Sequence, residues 1–191
     1  MRIKTQWHNT AHTGDNTQSA SVVALICWRL ASGTIGNLRK EDYRITDPAQ
    51  GYAIIAEILY FLIQLADRMA HEKFSLEQRT AFVTALANRL GEILHDNVLD
   101  VPGVDATADY KGQFIARLNE RADDYATFGY TEDGPDFAFV RYLGLRIMDR
   151  LPQQDKSWIV DQIMDIEVPE MVKTLKKAIT ELFPSTNEAG E

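Results

Sequence analysis

The stretch from Tyr52 to His71, YAIIAEILYFLIQLADRMAH, constrains the fold of this chain more than any other. Apolar side chains fill nearly every position between Ile54 and Met69. A helix built from them must be buried over most of its circumference. Asp47 followed by Pro48 marks its start, with a side-chain acceptor at the N-cap and a proline at the first helical position. The exceptions to the apolar run are themselves ordered. Glu57, Tyr60, Gln64, Asp67 and His71 recur at spacings of 3, 4, 3 and 4, with Arg68 alongside. At helical geometry they share an arc of roughly 80°. Such a polar line faces solvent between two neighbours, pairs with buried arginines (Arg89, Arg141 and Arg146 are the candidates), or lines a pocket. Within that line Asp67 and His71 are close enough to touch, whereas Glu57 and His71 lie roughly 21 Å apart along the axis and cannot act on one bond.

The remaining chain reads as further helices. Val22, Val23, Ile26 and Leu30 share one side of a first helix from about Ser19 to Ala31, which Gly33 and Gly36 then interrupt. Ser75 and Gln78 form a capping box that opens a third helix reaching roughly Asn97. Tyr110, Phe114, Leu118, Tyr125 and Phe128 fall at helical spacing, with Arg117, Arg121, Asp123 and Asp124 assigned to other faces. GYTEDGPD is a turn before an almost wholly apolar helix, FAFVRYLGLRIMDRL, closed by Pro152. Trp158, Ile159 and Ile163 begin another helix that Pro169 breaks or kinks, before a last one carrying Met171, Val172, Leu175, Ile179 and Leu182. No period-2 strand or fixed-period repeat appears. The expected fold is all-α: a single-domain bundle of six or seven helices over 17–183, with a flexible arm at 1–16 and a disordered tail at 184–191.

Net charge narrows the partners. The formal charge of −8 argues against nucleic acid and against an anionic membrane surface, both of which reward basic patches. Without a basic recognition helix, a DNA-binding regulator is the least favoured class. MRIKTQWHNTAH has no apolar core of a secretory signal, and ILYFLIQLA is far shorter than the roughly 20 apolar residues of a membrane span, so the expected location is cytoplasmic. Cys27 is the single cysteine, which excludes an intramolecular disulfide, and its setting VALICWRLA reads as a buried thiol.

One motif points to chemistry. Glu92 and His95 form Glu-x-x-His, which sets a carboxylate and an imidazole on one helix face. Ferritin-like di-iron bundles use two such motifs with two further glutamates. In an antiparallel hairpin Glu57 reaches a similar height to Glu92, so Glu57, Glu92 and His95 resemble half of a di-iron site and are the candidate ligands of a divalent metal. The other half is missing, because no histidine lies beyond His95. On the helical wheel Asn88, Arg89, Glu92, His95 and Asp96 form an ordinary polar face opposite Phe82, Val83, Leu86, Leu90 and Ile93.

Other candidates carry less. His8 and His12 have i,i+4 spacing without an amphipathic helix to hold them, and Gly33 and Gly36 lack the strand and lysine of a phosphate loop. No nucleophile motif is present. Tyr110, Phe114, Tyr125 and Phe128 read as core, and Lys173, Lys176 and Lys177 as a solvated helix end. The expected function is that of a non-catalytic helical protein with no cofactor. It acts through protein contacts and self-associates, as a dimer by preference, on the apolar surfaces of 52–66 and 137–151. The alternative, from a different class, is a metal- or small-ligand-binding bundle, an enzyme included, centred on Glu57.

Overall fold

The computed structural model describes residues 16–184, with side chains from Gln18 onward. The expected arm, with His8 and His12, and nearly all of the expected tail lie outside the described residues. The fold is all-α. Four long helices come first: α1 (Asn16–Lys40), α2 (Pro48–His71), α3 (Leu76–Leu99) and α4 (Tyr110–Tyr125). A two-residue ribbon, β1 (Tyr130–Thr131) and β2 (Gly134–Pro135), folds the GYTEDGPD turn back on itself. Then come α5 (Phe137–Met148), a 3-10 turn (Gln153–Asp155), and one continuous helical run made of α6 (Ile159–Asp161), a π segment (Gln162–Glu167) and α7 (Val168–Leu182).

The local signals act where they stand. Asp47 accepts a bond from the Ala49 amide and Pro48 follows, so α2 starts at Pro48. Ser75 and Gln78 close both halves of their capping box. Asp136 caps α5 through the Phe139 amide. Two expectations are corrected. Gly33 and Gly36 do not end α1, which runs on to Lys40. Two helical glycines cost about 1 kcal/mol each, but the extra turns bury Ile35 and Leu38, worth roughly 1.5–3 kcal/mol apiece. Pro169 stands in the first turn of α7, as expected, but does not break the helical run. The turn before it widens, with the Val168 amide bonding the Ile163 carbonyl five residues back. That widening makes room for a ring that would clash with the carbonyl four residues earlier.

Helix α2 is the centre, packed against α1, α3, α4, α5 and α7. Its apolar surface from Ile54 to Ala66 is therefore used inside the fold. By length and composition alone both α1 and α2 could cross a bilayer. In α2 that composition is explained by its central place, since 67% of its apolar window is buried within the protein. Cys27 is fully buried, and burial pushes its thiol up to about 12. Close approach between helices depends on two glycines. A Cβ on Gly144 would stand 3.2 Å from the Val160 Cα, and one on Gly91 would stand 3.3 Å from the Phe114 ring. Gly91 thus lets α4 close on α3, which fixes one wall of the groove described next.

Candidate functional site

Glu57 is 2% exposed at the middle of α2. Its carboxylate accepts three hydrogen bonds from two guanidinium groups. Arg121 of α4 grips it with two parallel bonds, Nε to Oε2 and Nη2 to Oε1, each 2.9 Å. Arg150, just past α5, adds a third from Nη2 to Oε1 at 2.8 Å. Such fork-on-carboxylate geometry is the strongest form of ion pair a protein makes. Burial alone would raise the Glu57 carboxyl, but the bonds and charges of Arg121 and Arg150 outweigh it and hold the group below the usual carboxylate range. Glu57 is therefore ionised at neutral pH, with both of its oxygens hydrogen-bonded.

The polar line on α2 thus turns inward at one end and outward at the other. Tyr60 is buried, and its ring meets Phe114 at 4.9 Å. Gln64 is half-buried. Asp67 takes a two-bond clamp from Arg79 of α3, at 2.7 and 2.5 Å, and the same guanidinium reaches His71 Nδ1 at 3.1 Å. Asp67 and His71 are joined through Arg79 rather than by touching. The pairing partners expected for the line were Arg89, Arg141 and Arg146. Arg89 instead pairs with Glu92 and Arg146 with Asp149, while Arg141 is exposed.

Arg121 was assigned to the polar side of its helix, and this too is corrected. Phe114, Leu118, Arg121 and Tyr125 are the buried residues of α4, at spacings of 4, 3 and 4. Arg121 is thus a charge on an apolar stripe, the same signal that singled out Glu57, and it could have been read from the sequence. A third such intruder was missed. Glu167 is 5% exposed and continues the stripe of Ile159 and Ile163 into Met171. It accepts bonds from the side-chain amides of Asn37 at 3.1 Å and Gln162 at 3.4 Å.

The proposed metal ligands are not assembled. Glu92 receives Lys111 Nζ at 3.0 Å and Arg89 at 3.3 Å. These cations, the Lys111 bond first, lower its carboxyl. His95 sits 6.0 Å from the Tyr110 ring, centroid to centroid. Among the described residues no three His, Cys, Asp or Glu side chains converge on a common point. Glu57, Glu92 and His95 thus do not form a ligand set in this arrangement, for Glu57 is committed to arginines and Glu92 to Lys111 and Arg89.

What the structure does build around Glu57 is a groove of about 530 Å³ between α2, α3 and α4. Ala49, Ala53 and Ala56 of α2 form a shallow trough, because small side chains leave space beside the helix. Leu94, Val98, Val101 and Val104 supply an apolar wall, with Tyr110 and Phe114 of α4 opposite. Glu57, Tyr60, Gln113, Arg117, Glu120 and Arg150 are the polar lining. Burial, and then the charge of Glu57, push the Tyr60 hydroxyl well above its ordinary value, so it stays a neutral donor. No family model, curated protein sequence or solved structure matches this chain.

Proposed function

We propose that this protein is a non-catalytic, cytoplasmic helical binding protein whose groove between α2, α3 and α4 accepts a small, largely apolar molecule. The observation that carries this reading is the make-up of the groove, whose apolar walls converge on a few fixed polar groups. Small-molecule sites have this character, with volumes of roughly 300–1,000 Å³. Binding is favoured over chemistry because Glu57, the one buried carboxylate in the lining, accepts three arginine hydrogen bonds and is held ionised. A general acid or base near neutral pH needs the opposite tuning.

An uncharged solvatochromic dye such as Nile red tests the groove without engaging its charges. Its emission should rise and shift to the blue with the native protein, and Ala53→Trp, which fills the trough, should abolish the change while helicity is kept. No response from the native protein, or one that survives Ala53→Trp, would overturn the reading.

A second reading, self-association, draws on a different observation. Most of the apolar surface of 52–66 that suggested it is buried within the fold. Yet Phe137, Trp158 and Ile166, in and around α5 and α6, are 70%, 77% and 60% exposed. Trp158 moreover holds a left-handed backbone at φ 68°, a strained conformation for a bulky residue. Sedimentation velocity of the native chain against Trp158→Ser distinguishes a dimer closed by this face from a monomer.

A further inference from the structure

We infer that the ligand of this groove is an amphipathic anion, an apolar body ending in a single carboxylate, with the carboxylate seated on Arg150. The inference rests on the groove being a binding site, as proposed above, and adds the chemistry of its occupant.

The two guanidinium groups on Glu57 are not equally engaged. Two guanidinium groups meet one carboxylate at Glu57. Arg121 neutralises it from the buried side, through two bonds, and is itself only 9% exposed in its side chain. The next pair along the rim, Arg117 with Glu120 at 2.6 Å, is balanced. Arg121 also has Asp124 at 3.9 Å from its Nη1, so Arg150 is the less engaged of the two guanidinium groups on Glu57. That side chain is 39% exposed, lines the groove, and bonds Glu57 through Nη2 alone. A guanidinium carries five N–H donors in a fixed fork, so its remaining edge is free to take a second carboxylate.

A second donor stands beside it. Tyr60 lines the same groove, and its hydroxyl has no hydrogen-bond partner among the described residues. It follows Glu57 by three residues on the same face of α2, and both line the groove with Arg117 and Arg150. A carboxylate on Arg150 can accept a further bond from Tyr60. The apolar body then runs along Ala53 and Ala56, against Leu94, Val98, Val101 and Val104.

The test is calorimetric titration of the full chain at neutral pH and low salt with three ten-carbon probes: decanoate, decanol and decyl phosphate. Decanoate should bind at least about tenfold more tightly than decanol, as a charge-assisted contact requires. Arg150→Met should remove that advantage of decanoate over decanol, while Arg150→Lys should keep most of it. Because Arg121 still clamps Glu57, Arg150→Met is expected to fold, and far-ultraviolet circular dichroism verifies it. Equal affinities for decanoate and decanol, or indifference of decanoate to Arg150→Met, would overturn the anion while leaving the groove intact. A preference of about tenfold or more for decyl phosphate over decanoate would overturn the carboxylate in favour of a phosphate. Failure of all three probes together with Nile red would instead sink the groove as a site.

Discussion

Among the described residues two glutamates are buried, and the protein satisfies them by different means. Glu57 lies between two guanidinium groups, which between them donate three bonds. Glu167 lies in the π segment between two side-chain amides, from Asn37 and Gln162. No cationic side chain bonds it among the described residues. The difference is one of chemistry as much as charge. A guanidinium only donates, whereas an amide donates at one end and accepts at the other. The surroundings of Glu57 can be satisfied only by an acceptor with two open oxygens. Those of Glu167 can turn and satisfy a neutral side chain. One site is a rigid charge cage on the floor of a groove. The other is an adaptable joint where α1 meets the widened turn before Pro169.

The contrast can be broken by removing one half of the cage. Arg121→Met leaves Glu57 buried with only the half-exposed Arg150, and should cost about 3–5 kcal/mol in urea unfolding, the range for an orphaned buried charge. A loss no larger than that of Arg150→Met would show that the two arginines are not distinct in role. Removing both partners sharpens the point. Glu57→Leu combined with Arg121→Met should recover to within about 1–2 kcal/mol of the native chain, because a buried ion pair is replaceable by apolar groups of similar volume. If the double variant is no better than Arg121→Met alone, the penalty is lost packing and not lost charge.

Acid separates the two arginine roles in another way. Folding lowers the Glu57 carboxyl, so its contribution to stability is complete above the unfolded value of about 4.3 and is lost as pH falls through the folded one. The native chain should lose stability below about pH 4 more steeply than Glu57→Leu with Arg121→Met. Parallel acid profiles would contradict this. Smallest of all, Arg150→Met should cost no more than about 1 kcal/mol, since a half-exposed pair is screened by water, and its main effect should be on binding.

How far the sequence carried these conclusions depends on range. The ends of α2 and α3 were legible because Asp47, Pro48, Ser75 and Gln78 act on amides within three residues. The true length of α1 was not, because it is set by the burial of Ile35 and Leu38 against other helices. Glu57 was legible as an anomaly. Its partners, 64 and 93 residues away, were not. The sign that would have found Arg121 was present all the same, as a charge in register with Phe114, Leu118 and Tyr125. Glu167 carried the same sign on the stripe of Ile163 and Met171. The groove had no counterpart in any local pattern, for its walls come from three helices and the α3–α4 loop.

The comparison comes to its sharpest point in one paired measurement, urea unfolding of Glu57→Gln beside Glu167→Gln. The first substitution turns an amide N–H₂ toward guanidinium donors that cannot accept, and should cost about 2–4 kcal/mol. The second meets amides that can rotate to receive it, and should cost less than about 1 kcal/mol. That difference would confirm Glu57 as the fixed, fully ionised floor of the groove. Equal costs for the two variants would contradict it.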